Sequence, residues 1–224
     1  MAKEKIYVSP SSQTTNKYAV GDTTEAIQCR KIAVCLIEAL KRCGFDAMTN
    51  VSGDMYKRVK ESDKCGADLH LPIHTNAHNK KTKGTRLFSY DLKGDGYKAC
   101  KAIMAELAPI TPGNSDSITA QKSLYEVWKP KATTAYIEVA FHDNAEVARW
   151  IIDSTEAIAE AICKGVCKYY AVSYVAPVTE EPEKPGIVYR VQVGAYSKKS
   201  GAETMRKKLK ADGYDAIIVK TEEA

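Results

Sequence analysis

Apolar and polar positions alternate between two periods along most of this chain. Residues 5–9 form a short apolar run that reads as a strand. From 24 to 43 the apolar residues Ile27, Ile32, Val34, Cys35, Leu36, Ile37 and Leu40 follow the three-to-four spacing of a helix, and Gly44 stops it. The sequence then predicts a strand at 45–49, a helix at 55–65, a strand at 68–74 running into Thr75-Asn76-Ala77, a strand at 85–90 and a helix at 96–107. A short strand at 124–127, a strand at 135–141 and one or two helices over 145–170 complete the pattern. Strands alternating with helices of this length predict an α/β fold, a mostly parallel twisted sheet with helices on both faces. Reactive groups in such sheets gather at the carboxyl ends of the strands, where His74 ends one strand and Glu138 lies on the last.

After Tyr170 the texture changes. Pro177, Pro182 and Pro185 are interleaved with Glu180, Glu181 and Glu183, a linker composition. The expected organisation is a main domain over 1–172, a linker over 173–186 and a small βαβ module over 187–224. The module comprises a strand at 187–196, a helix carrying Met205 and Leu209 that Gly213 stops, and a strand at 214–220. It falls below the roughly 40 residues at which a chain usually needs help to fold alone, so it is expected to pack against something.

Composition narrows the class. At 44% hydrophobic and 27% charged the chain is an ordinary globular one, with no apolar run long enough for a transmembrane segment. No apolar stretch follows the charged start, so a secretory signal is not expected, and the reading is a cytoplasmic product. The seven cysteines lack CxxC spacing and are odd in number, which reads as reduced thiols acting as small core hydrophobes. A net charge of +5 suits an anionic polymer: nucleic acid, a membrane face or a bacterial wall. Nucleic acid is not the expected partner, because no basic stripe with a reading helix or stacking aromatics stands out.

The chemistry concentrates in few residues. His70, His74 and His78 crowd one segment, and His70 and His74 share a strand face, a pattern that suits either metal binding or satisfied structural histidines. Glu25 follows Thr23-Thr24 at a helix start, where a carboxylate is favoured by the helix dipole. Glu138 is the local anomaly. Set between Tyr136-Ile137 and Val139-Ala140-Phe141, its carboxylate must be ion-paired, metal-bound or kept protonated. A general base and a buried salt bridge both answer that demand.

Glu25 at a helix start, Leu71-Pro-Ile-His74-Thr-Asn-Ala77 and Ala135-Tyr-Ile-Glu138-Val-Ala-Phe-His-Asp-Asn144 together resemble the N-acetylmuramoyl-L-alanine amidase family 3 pattern over residues 5–170. The resemblance implies a zinc enzyme that cleaves the amide between N-acetylmuramic acid and L-alanine in peptidoglycan. It makes Glu25 and His74 zinc ligands and Glu138 the catalytic carboxylate, with Asn76 and His142 as substrate contacts. Typical members carry a first histidine ligand after the first strand, whereas this chain reads Ser9-Pro-Ser-Ser-Gln13 there. Gln13 is the expected third donor, His142 is the alternative, and if neither binds, the protein is a weak or inactive wall-binding scaffold. Val188-Tyr-Arg-Val-Gln-Val-Gly-Ala-Tyr-Ser197 resembles half of a SPOR domain, which implies peptidoglycan binding with Tyr189, Gln192 and Tyr196 as candidate contacts. A second half from another copy would close the sheet and make a homodimer. Without a signal segment, such an enzyme would reach the wall only after the membrane fails, as an endolysin or a mother-cell autolysin would.

Overall fold

The structure, a computed structural model, describes residues 3–178, 192–211 and 216–220. The chain divides into two compact units, Met1–Pro177 and Val178–Ala224.

The first unit is built on one twisted sheet. Its strands are β1 (Lys5–Pro10), β2 (Asp46–Thr49), β3 (Leu69–Asn76), β4 (Arg86–Ser89), β5 (Ser117–Ala120), β6 (Thr133–Thr134) and β7 (Tyr136–Phe141). The order is β2-β1-β3-β7-β4-β5, with β6 paired to β3. All pairings are parallel except β4 against β7. β3 lies at the centre and is buried along nearly its whole length, as a strand covered on both faces must be.

The helices are α1 (Glu25–Arg42), α2 (Met55–Cys65), α3 (Asp95–Leu107), α4 (Tyr125–Trp128), α5 (Ala145–Asp153) and α6 (Thr155–Tyr170). α6 packs against both α1 and α3. These helices close over Ile6, Val8, Leu69, Leu71, Ile73, Ile137 and Val139 to form the main core. The opposite face of the sheet receives Arg58 of α2 and Glu126 of α4. Local sequence explains the boundaries. Asp54 accepts the Lys57 N–H at 2.8 Å to start α2, and Gly66 ends it in the left-handed conformation at φ 66°. Ser154 separates α5 from α6, which resolves the single predicted stretch into two helices.

Two expectations are corrected. Residues 124–127 form α4 rather than a strand, and the edge strand is β5 instead. With Leu124 extended as N-cap, the Val127 and Trp128 N–H groups turn back onto the Leu124 carbonyl, which spends on a helical turn the donors that a strand would present sideways. In the second unit the predicted helix is present as α7 (Lys199–Ala211), but the described parts of both predicted strands, 192–196 and 216–220, have no strand conformation. A strand exists only through its ladder, and no ladder partner lies among the described residues.

No helix among the described residues is long and apolar enough to cross a membrane. The cysteines are free. Cys29, Cys43, Cys100, Cys163 and Cys167 are buried, and Cys35 and Cys65 are partly buried.

Gly165 marks a close approach of α6 to α3: a Cβ there would clash with Ile103 Cα and lie 2.9 Å from Ile103 N. Backbone cannot yield as a side chain does, so Gly165→Ala should destabilise by about 1–3 kcal/mol despite the better helix propensity of alanine. Urea unfolding measures this, and an unchanged or raised midpoint would refute so close a contact between α3 and α6.

Candidate active site

The parallel register sets His74 of β3 beside Glu138 of β7, and the ladder shifts immediately afterwards, between His74 and Asn76. Both side chains therefore project from the same face near the carboxyl end of β3. His74 is held on three sides. Its Nδ1 lies 2.8 Å from Glu25 Oε1, and its Nε2 lies 3.7 Å from Glu126 Oε2, an ion-pair distance beyond hydrogen-bond reach. The Tyr136 ring stacks on it at 4.8 Å.

Glu25 reaches His74 because the loop before α1 caps that helix with backbone. The Glu25 and Ala26 N–H groups donate to the Asn16 and Gln13 carbonyls at 2.9 and 3.2 Å, and no side chain caps the helix start. The Glu25 carboxylate is thereby free to face the cleft. Its second oxygen accepts from Asn16 Nδ2 at 2.7 Å, and the same nitrogen lies 2.8 Å from Gln13 Oε1. Gln13, Asn16, Glu25 and His74 thus form one connected row.

A second row runs beneath it. Buried Arg58 donates from Nε to Ser9 Oγ at 2.9 Å, Ser9 donates to Glu126 Oε1, and His70 Nε2 lies 3.3 Å from the same oxygen. His70 stacks on Tyr7. Glu126 joins the rows through its other oxygen, facing His74.

The protonation states follow from these contacts. Burial works against charge on His74, but contacts with Glu126 and Glu25 and the nearby charge of Glu138 outweigh it and raise its pKa to about 9. Burial likewise opposes ionisation of Glu25, yet the His74 contact holds its pKa below the usual carboxylate value. Glu126 is drawn down to about 2, with burial overcome by His70, His74 and Ser9. Glu138 goes the other way. Its Oε2 is buried without a hydrogen-bond partner among the described residues, and burial pushes its pKa up to about 7 against the opposing charge of His74. A carboxyl poised there suits proton transfer near neutral pH, and among the described residues no cation stands at salt-bridge distance from it.

The remaining candidates sit elsewhere. His142 is buried, with Nδ1 2.9 Å from Thr75 Oγ1 and its ring stacked on Tyr18. Burial lowers its pKa. Asn76 Oδ1 accepts from the Ala77 N–H at 2.8 Å at the strand end. In the second unit Gln192 is exposed and donates to the Gly194 carbonyl, and Tyr196 is exposed. Tyr189 lies outside the described residues. Sequence reasoning missed Glu126, Asn16 and Arg58. For Glu126 a signal existed: it stands between Tyr125 and Val127 much as Glu138 stands among apolar neighbours.

The donor set meets a mononuclear zinc site only in part. Such a site takes three protein ligands, and two donors on one tetrahedral zinc stand about 3.4 Å apart. Glu25 and His74 are hydrogen-bonded at 2.8 Å instead, and no third His, Cys, Asp or Glu donor gathers with them among the described residues. Gln13 offers only a neutral amide oxygen, already engaged by Asn16. The residues present do not make a complete zinc site.

Residues 6–168 match the sequence profile of N-acetylmuramoyl-L-alanine amidase, and residues 185–224 match the SPOR domain. Among curated proteins the chain is similar to the N-acetylmuramoyl-L-alanine amidase CwlM of Bacillus licheniformis, 23% identical over 96% of this chain and 84% of the relative. Among solved structures it is similar to the CwlD amidase of Clostridioides difficile in complex with the GerS lipoprotein, with a TM-score of 0.67 and 19% identity over 75% of this chain and 99% of that one. It is also similar to the catalytic domain of the CD27L endolysin targeting Clostridia difficile, with a TM-score of 0.62 and 21% identity over 74% and 97%. These structural likenesses establish the shared fold.

Glu138 gives a pH test. Its folded value of about 7 stands above the ordinary carboxylate value of 4.5, so its contribution to stability is complete below about pH 4.5 and is lost as pH rises through about 7. Glu138→Gln cannot ionise. Wild-type unfolding free energy should therefore fall relative to the variant by up to roughly 3 kcal/mol between about pH 4.5 and about pH 8. Urea unfolding at several pH values measures the gap, and a constant gap would mean that Glu138 ionises like a surface carboxylate.

Proposed function

From its membership of the N-acetylmuramoyl-L-alanine amidase family, to which this chain belongs by a match over residues 6–168, we propose a peptidoglycan-directed amidase with a metal cradle one donor short. Its target is the amide between N-acetylmuramic acid and the L-alanine of the stem peptide. Its turnover is weak, and binding to the wall is its more robust property. The observation that carries this reading is the meeting of Glu25, His74 and Glu138 at one strand end while Gln13 stands where the family's first histidine is expected.

Zinc bound there would supply Lewis acidity to the amide carbonyl and to a water molecule. The chain itself offers Glu25, His74 and the neutral oxygen of Gln13. Glu138 holds a proton near neutral pH and is placed to exchange it with a reacting group beside His74. Tyr136 covers one face of the His74 ring and keeps water from that side. Glu126 faces Nε2 of the His74 ring from 3.7 Å, on the side away from Glu25, where carboxylate partners of ligating histidines stand, so Nδ1 would be the nitrogen offered beside Glu25. In the metal-free chain the same contacts keep His74 protonated, so a metal must displace that proton, which lowers affinity further.

The SPOR match over 185–224 supports a wall-binding role for the second unit, with Tyr189, Gln192 and Tyr196 as its glycan contacts. A partner copy would complete the half-module and make the protein a homodimer.

Release of free L-alanine amino groups from purified murein, measured with the zinc content of the cleft, tests the proposal. That content is the difference from a Glu25→Ala/His74→Ala variant, so that metal held elsewhere cancels. The wild type should hold well under one zinc per chain in the cleft and release amines slowly. Gln13→His should bring occupancy to about one and accelerate release, as expected of a third protein ligand. Glu138→Ala should abolish release while leaving the fold and zinc content intact. Full occupancy in the wild type with no gain from Gln13→His would sink the weak-cradle reading, and release undiminished by Glu138→Ala would sink the assignment of that residue.

A further inference from the structure

Three thiols meet far from the cleft. Cys43 is the C-cap of α1, whose first residue is Glu25, so the two ends are separated by a helix about 27 Å long at 1.5 Å per residue. Cys163 and Cys167 stand one turn apart on α6, where residues four apart share a helix face. The three sulfurs all lie within 4.8 Å of one another, and Cys43 Sγ is 3.6 Å from Cys163 Sγ. All three residues are buried.

The spacing has a chemical meaning. Thiolates on one tetrahedral or trigonal zinc, with bonds of about 2.3 Å, stand about 3.8–4.0 Å apart. The Cys43–Cys163 separation is just below that figure and no pair exceeds 4.8 Å, so the sulfurs need only small shifts to converge on one ion. The backbone contributes as well. The Val175 N–H donates to Cys43 Sγ at 3.3 Å, which steadies negative charge on that sulfur, and the Val175 carbonyl stands 3.8 Å from the same atom as an oxygen at hand for a fourth position. Other buried cysteines are placed differently: Cys100 turns its thiol to the Phe88 carbonyl. Simple packing of small hydrophobes has no need to gather three sulfurs against a backbone donor.

We propose that Cys43, Cys163 and Cys167 form a structural site for a soft, thiophilic cation, zinc(II) or its heavier congener cadmium(II). On binding, the thiols give up their protons to the buffer and three metal–sulfur bonds form; no oxidation is involved. The site ties the end of α1 to α6 and to the chain at Val175, where the first unit nears its end. It does not depend on the proposed amidase activity, and it gives a reason to count cleft zinc by difference.

Titrating cadmium(II) into the reduced full-length chain carrying Glu25→Ala and His74→Ala tests the site without the cleft donors. A thiolate-to-metal charge-transfer band should saturate at one equivalent. It should be lost in each of Cys43→Ala, Cys163→Ala and Cys167→Ala, and persist in Cys100→Ala. In the chain with all its cysteines, mass spectrometry after alkylation in mild denaturant should find these three thiols protected by the metal and the others not. That readout decides the matter even where an alanine variant fails to fold. Absence of a band saturating at one equivalent, survival of the band without two of the three thiols, or an alkylation pattern unchanged by metal would each overturn the proposal.

Discussion

The first unit depends on keeping ionised groups paired at the centre of its sheet. β3 is covered on both faces yet carries two histidines, and removing an ion from water costs several kcal/mol unless a partner compensates. The compensation comes from every direction: Glu25 from α1, Glu126 from α4, and Arg58 from α2 through Ser9 of β1. Loss of any one member would strand a buried charge or polar group, so these elements are fixed relative to one another more tightly than apolar packing alone would require. The same rows hold His74 rigidly at the strand end.

Glu138 is the exception among the three cleft carboxylates. It sits beside a paired histidine, but its buried Oε2 has no hydrogen-bond partner among the described residues, and its pKa rises where those of Glu25 and Glu126 fall. Glu25 and Glu126 are drawn down by the same histidine that leaves Glu138 near neutrality. Environments that push like groups apart separate a proton carrier from its scaffolding. The family's fold is thus retained around three carboxylates that its cleft sets to different protonation states.

Much of this was legible in the sequence, unevenly. Periodicity located the central strands and long helices, because β3 and β7 are apolar runs and α1 has a buried face. The predicted span 55–65 matches α2, whose ends the structure shows to be set by the Asp54 cap and the left-handed Gly66. Residues 124–127 failed because a four-residue apolar run does not distinguish strand from helical turn, and that error hid Glu126. Asn16 could not be foreseen, since its role arises where a loop folds back onto α1. Glu138 stood out because an isolated carboxylate in an apolar strand is a problem of local energetics, whereas Glu25 and His74 needed the family pattern. The cysteines were read as small core residues, and most of them are buried in the core; the meeting of three thiols was not legible because Cys163 and Cys167 use the helix repeat and their third partner lies on another helix.

The loop before α1 carries one more consequence. It closes the helix start with the carbonyls of Gln13 and Asn16 rather than with a side chain. Main-chain atoms are common to all residues, so the helix start does not depend on the side chain at position 13, whose contact is with Asn16. A substitution at position 13 can therefore change what the loop presents to the cleft while the backbone cap of α1 stays in place. The side chain offered there can vary independently of the architecture that surrounds it.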